Sequence, residues 1–184
     1  FFISGYLISQ SFESSKSLKN YCFKRLLRVY PALIMSVLLG VSSILFSGYL
    51  HGRQVNLFDW VLLILSKITI FQFWNPDFLR SYGDGVFNGN LWTITVELQF
   101  YILIPILFYF NKFLNFKKLN YWTIVLIASL VINRIYIYLL KFYADAIWLK
   151  LFGVSIGPWL YMFLIGVMAQ QYKDVVLLYI KKYS

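Results

Sequence analysis

The sequence predicts an all-α fold, a polytopic transmembrane helical bundle with about five to six membrane segments, one of them a candidate for re-entry rather than crossing. Three observations predict it. Of the 184 residues, 60% are hydrophobic, 21% are aromatic and only 13% are charged. A soluble chain carries about 25% charged residues, so this one holds roughly half the charge needed to face water. Mean hydropathy is +0.69, and several apolar runs approach the roughly 20 residues that a helix needs to cross about 30 Å of hydrocarbon. Finally, the basic residues gather between those runs, as the positive-inside rule requires of cytoplasmic loops.

The net charge is +10, from 17 Lys and Arg against 7 Asp and Glu. In a soluble protein that balance raises the question of nucleic acid. Here cytoplasmic loops account for it, so membrane lipid is the expected partner and nucleic acid is not. The lone cysteine, Cys22, excludes an internal disulfide and a thiolate metal cluster. It is expected to be a small buried residue.

The chain opens inside an apolar run, Phe1 to Ile8, with neither the basic n-region nor the cleavage site of a secretory signal. It reads as a piece cut within its first visible helix. A polar stretch, Ser9 to Asn20, follows. Lys16, Lys19, Lys24, Arg25 and Arg28 face only Glu13 there, which marks this loop as cytoplasmic. Pro31 is expected to open the next helix, since proline at a first helical position forfeits no hydrogen bond, and Ala32 to Leu50 is long enough to cross. Asn75-Pro76 ends the following segment, Trp60 to Trp74, and Asp77 to Gly89 is a polar, glycine-rich loop. Leu91 to Phe110 makes a helix interrupted by Pro105 and closed by Lys112, Lys117 and Lys118. Tyr121 to Leu140 is a span carrying Arg134 near its far end, and about Gly157 to Tyr172 is the last clear span. Val175 to Ile180, before Lys181 and Lys182, reads as the start of another helix or as an amphipathic tail. There is no internal repeat and no linker, so residues 1–184 belong to a single domain.

Trp60 to Trp74 admits two readings. It is short for a span, and Lys67 at its middle costs roughly 2.5–3.5 kcal/mol near a bilayer centre unless it faces protein or water. A full crossing puts the basic Lys112 to Lys118 loop outside. A re-entrant segment keeps residues 51–90 outside and all strongly basic ends inside, and the charge bias favours it.

Glu97 stands out chemically, two turns into an apolar helix, because an ionisable residue at membrane depth is a functional-site candidate by default. Thr93 and Tyr101 lie one turn to either side on the same face. A structural hydrogen bond to a neighbouring helix is the alternative. Arg25 and Arg28 are neighbours on one helical face; their planar forks of donors suit phosphate oxygens, though taken in isolation anchoring to anionic lipid is the stronger reading. His51, the only histidine, falls in a loop and reads as solvated, and no zinc site of the usual ligands has support. Asp77 and Asp84 flank the glycine-rich loop, either solvated or touching sugar hydroxyls. Phe71, Phe73, Trp74 and Trp92 fit an interfacial aromatic belt or a platform for stacking a sugar.

Three stretches resemble one family of integral membrane proteins. Phe1 to Ile8 (FFISGYLI) resembles an FFxISGYLI helix, Lys24 to Pro31 (KRLLRVYP) an RRxxRIYP segment, and Asn90 to Tyr101 (NLWTITVELQFY) an SLWSLxVExQFY helix. In order and spacing these are similar to the acyltransferase 3 family; the likeness is strong to about residue 101 and weaker to about 170, where Gly166 resembles a late motif. The resemblance implies a bundle of around ten helices that takes an acyl group, commonly acetyl, from cytoplasmic acyl-CoA and passes it to a hydroxyl of a cell-surface polysaccharide or lipopolysaccharide sugar. It implies acyl-CoA as donor substrate with no bound cofactor and no metal, and a multi-pass protein of the bacterial inner membrane.

Under it, Glu97 is the catalytic candidate, Arg25 and Arg28 bind the acyl-CoA phosphates, and Ser4, Asn90, Trp92, Thr93 and Tyr101 line the substrate channel. The family also places an arginine and a presumed catalytic histidine in a helix before the FFxISGYLI motif. His51 does not match that position, so the 184-residue segment is expected to be inactive alone. A transporter or flippase for a lipid-linked sugar is the reading from another class, since it too wants basic cytoplasmic residues and an intramembrane acid.

Overall fold

A computed structural model describes residues 1–83, 85, 87–114 and 118–173. Asp84, Lys117, the Val175 to Ile180 run, Lys181 and Lys182 lie outside the described residues.

The described residues form seven helices: α1 (Phe2–Glu13), α2 (Leu18–Phe46), α3 (Leu57–Ile68), α4 (Leu91–Leu114), α5 (Lys118–Tyr143), α6 (Ile147–Gly153) and α7 (Leu160–Gln171). Short 3₁₀ turns lie at Asp77–Leu79 and Gly157–Trp159, and the described residues contain no strand. Three helices, α2, α4 and α5, are long and apolar enough to cross a membrane; α6 and α7, bent by 45° at their break, make a fourth if counted as one span. Among the described residues that is three or four spans where five to six segments were expected.

The difference comes from the short elements. In the Trp60 to Trp74 region the helix, α3, runs over Leu57–Ile68 and stops six residues short of Trp74. At 1.5 Å per residue, 12 residues reach about 18 Å, well short of a roughly 30 Å core. Lys67 thus sits in the last turn of α3, not at the middle of a span.

Two expectations about α2 are corrected. Pro31 does not open a helix; α2 begins at Leu18 and passes through Pro31. Proline removes one backbone bond and crowds the carbonyl four residues earlier, but in an apolar environment a helix remains the cheapest way to satisfy the other backbone groups. Pro105 is likewise interior to α4. Cys22 is exposed, not buried, because Tyr21 and Arg25, one turn apart, take the inward face of the helix and turn residues 22–24 outward.

The chain forms two compact units, one of Phe1–Tyr21 with the residues from Gln99 onward, the other of Cys22–Leu98. In the first, α1 and α7 pack closely and in parallel. A Cβ on Gly5 would run into the carbonyl oxygen of Phe163, and one on Gly166 into that of Phe2. With no side chain at either position the backbones come into contact, as in small-residue membrane interfaces. Phe1 packs on Phe163 at 4.9 Å and Phe100 stacks on Phe163 at 3.9 Å between ring centroids. Below them, Ser9 Oγ donates to Gln170 Oε1 (3.0 Å), while Gln170 Nε2 and Gln171 Nε2 donate to the two carboxylate oxygens of Glu13 (2.8 and 2.7 Å). On α5, Ile124, Ile127, Val131, Ile135, Tyr138 and Phe142 form an exposed apolar stripe, the face a helix offers to lipid. Arg134 is exposed too, nine residues before the end of α5.

In the second unit, Leu33, Val37 and Ile44 of α2 bury against Leu63 of α3, Leu79 and Phe87 of the following loop, and Leu91 at the start of α4. The ring of Phe87 fills the space a Cβ on Gly40 would need.

Candidate functional site

The first turns of α4 carry most of the candidates. They are organised by two asparagines. Asn88 Oδ1 accepts the backbone N–H of Asn90 (3.1 Å), and Asn88 Nδ2 donates to Ser36 Oγ of α2 (3.2 Å). The carbonyl of Asn90 then accepts both the N–H (3.3 Å) and the hydroxyl (2.8 Å) of Thr93. These bonds take up donors that a helix start leaves without intrahelical partners. Thus Asn90, Trp92, Thr93 and Glu97 are gathered on two turns, with Asn90 exposed and the other three half-buried. Thr95 is fully buried and its hydroxyl oxygen has no hydrogen-bond partner.

Arg25 and Arg28 stand on α2 in different surroundings: Arg25 is 8% exposed, whereas Arg28 is exposed. They share a helical side but not an environment. Ser4, half-buried in α1, and Tyr101, buried in the second half of α4, fall in the first unit. The backbone carbonyl of Tyr101 accepts the hydroxyl of Tyr21 (3.0 Å). Asp77 is engaged by Arg80 at 2.7 Å, both side chains largely exposed. His51 is exposed in a turn. No group of three or more His, Cys, Asp and Glu among the described residues is arranged to hold a metal ion.

The loop leading to α4 is held by Lys67. Its ammonium, 1% exposed, donates to the carbonyls of Gln72 (2.7 Å) and Trp74 (2.5 Å) and to Asn75 Oδ1 (3.0 Å). Three acceptors match its three N–H donors. Burial pushes its pKa down from 10.5 to about 8, so it is charged at neutral pH. A further polar cluster in the first unit surrounds the break between α6 and α7, where Gln99 takes the backbone N–H of Ile156 at 2.8 Å. Gln72, Asn75 and Gln99 are not among the candidate site residues that the sequence points to. The available signal was an uncharged polar residue inside an apolar run.

The first unit also has an open groove of about 790 Å³ between the end of α1 and the second half of α4, lined by apolar residues that include Phe12, Ile106 and Phe108 and by polar ones that include Glu13, Ser17 and Lys112.

Comparison with known proteins decides the family, because the acyltransferase domain of the acyltransferase 3 family matches residues 1–184. The chain belongs to that family. Among its relatives, nodulation protein 10 of Rhizobium leguminosarum is 29% identical over 94% of this chain and 47% of its own length. The O-acetyl transferase of Shigella phage Sf6 is 34% identical over 56% of this chain and 31% of its own. The peptidoglycan O-acetyltransferase OatA of Listeria monocytogenes is 30% identical over 65% of this chain and 20% of its own. The chain therefore spans about half, or less, of the length of these relatives. No solved structure matches it.

Proposed function

We propose that the protein containing this chain is an O-acyltransferase of the bacterial inner membrane that moves an acyl group, acetyl in the first instance, from cytoplasmic acyl-CoA to a hydroxyl of a cell-surface polysaccharide or lipopolysaccharide sugar. The observation that carries this reading is the acyltransferase match across the whole chain, in company with relatives named as O-acetyltransferases. In the reaction the thioester carbonyl forms an ester with the acceptor oxygen, the thioester bond breaks, and the hydroxyl proton ends on the coenzyme A sulfur. Glu97 is the residue of this chain suited to orient that hydroxyl and take up its proton. Arg28, exposed at the basic end of α2, and Arg25 beside it provide guanidinium donors for the donor's phosphates. Ser4, Asn90, Trp92, Thr93 and Tyr101 line the acceptor's path.

The test uses membranes bearing the whole protein and radiolabelled acetyl-CoA. Label is expected to pass to the glycan fraction, and Glu97→Gln is expected to reduce transfer at least a hundredfold at an unchanged membrane level. A wild-type protein that transfers no label, as a flippase would not, overturns the proposal.

A further inference from the structure

Helices α6 and α7 meet at a 45° bend, and the break between them is held by side chains. Helix α6 ends at Gly153 and α7 begins at Leu160, so the intervening turn has peptide groups that no regular helix satisfies. In a hydrocarbon environment such groups are costly unless protein provides partners. Here it does. The side-chain amide of Gln99 on α4 grips both sides of one peptide pair, accepting the N–H of Ile156 at 2.8 Å and donating to the carbonyl of Val154 at 3.4 Å. Asn133 Nδ2 of α5 donates to the carbonyl of Pro158 (3.0 Å), and Trp159 Nε1 donates back to that of Gly153 (2.7 Å). One residue after Gln99, the ring of Phe100 stacks on Phe163 of α7.

An amide is the side chain this grip demands. It presents an acceptor and a donor on one planar group, matching the Ile156 N–H and the Val154 carbonyl of the two successive peptide units that flank Ser155. A carboxylate keeps only the acceptor, and an aliphatic residue keeps neither. Residues two apart on a helix lie about 200° apart around its axis. A grip at Gln99 therefore fixes the rotation of α4, and with it the direction of the face carrying Glu97.

We propose that Gln99 is a positioning residue for acyl transfer, its amide splinting the unwound turn between α6 and α7 and setting the rotation of the helix that bears Glu97. The proposal rests on the acyl-transfer reading for its catalytic consequence, and on the hydrogen bonds alone for its structural one.

The two are separated by measuring both in the whole protein in membranes, with radiolabelled acetyl-CoA as donor and a Ser155→Cys, Cys22→Ser background labelled by a membrane-impermeant maleimide. Gln99→Leu is expected to lower kcat at least tenfold with the donor KM unchanged within twofold, and to speed labelling at position 155 at least threefold. Gln99→Glu, which keeps the bond from Ile156, is expected to fall between Leu and wild type in both readouts. If Gln99→Leu does not accumulate, Gln99→Glu carries the same test against wild type. Wild-type kcat in the substituted protein overturns the proposal, as does a loss of kcat with labelling unchanged. If the wild-type protein transfers no acyl group, the acyl-transfer reading has failed by itself; labelling at position 155 still decides the splint, which an unchanged rate would overturn.

Discussion

Lys67 and Asn75 meet at 3.0 Å, and the same side-chain oxygen of Asn75 accepts the backbone N–H of Phe87 at 3.1 Å. One buried ammonium thereby ties the end of α3 to both ends of the loop that delivers the chain to α4. Lys67→Met removes the donor from the carbonyls of Gln72 and Trp74, while Asn75 Oδ1 keeps the Phe87 N–H. A buried acceptor without a partner costs about 1–3 kcal/mol, so a loss of about 2 kcal/mol or more is expected, read as a lower unfolding midpoint in detergent and faster proteolysis between residues 69 and 90. An unchanged midpoint would show that the loop does not depend on this contact.

The same lysine gives a pH dependence of defined sign. Its folded value of about 8 lies below the ordinary 10.5. Below pH 8 both states hold the proton and the burial cost is present in full. Between pH 8 and 10.5 the folded chain has released it and the unfolded chain has not, so stability rises with pH, by up to about 1.4 kcal/mol per unit. Denaturant unfolding at pH 7.5 and 9.5 is expected to show this gain in the wild type and none in Lys67→Met.

Gly166→Ala and Gly5→Ala place a methyl group against a backbone carbonyl of the facing helix, which no rotamer change relieves. Each is expected to cost about 1–3 kcal/mol, seen as a lower thermal midpoint. Gly89→Ala serves as the control, since a Cβ there meets nothing within 4 Å; a control that falls as far as the test variants would point to a general glycine effect.

Arg25 and Arg28 are expected to separate on mutation because their environments differ. Arg28→Ala, at an exposed position, should raise the KM for acetyl-CoA roughly tenfold, about 1.4 kcal/mol of lost charge-assisted contact, with normal protein levels. Arg25→Ala opens a buried site and should first lower the amount of folded protein. Steady-state kinetics alongside quantified membrane levels distinguish the two; identical behaviour would remove the distinction drawn from burial.

What could be read in advance was what periodicity and hydropathy encode. The long helices α2, α4 and α5, the basic loop ends and the isolated Glu97 are one-dimensional signals: a run, a charge, an exception to a run. Pro31 misled because a local helix-start preference lost to the need to keep backbone bonds in an apolar setting. Cys22 misled because burial depends on which face of α2 turns inward, and one small residue does not set that. The hydrogen-bonding roles of Gln99 and Asn75 are not legible in the sequence for a related reason. Their partners are backbone groups of an unwound turn and of a loop, and nothing in the local composition announces that a peptide 55 residues away needs a donor.

The pairing of α1 with α7 has a consequence for how the protein is made. Ser9 and Gln170, which hydrogen-bond in that interface, are 161 residues apart. At a synthesis rate of about 5–20 residues per second, the ribosome needs roughly 8–32 s to produce the second helix after the first. Throughout that interval α1 sits in the nascent membrane chain with its glycine notch unfilled and its serine and glutamate lacking the amides of α7. Helix α1 thus waits for its partner until α7 has been made, which exposes the newborn chain to quality-control proteases for that interval.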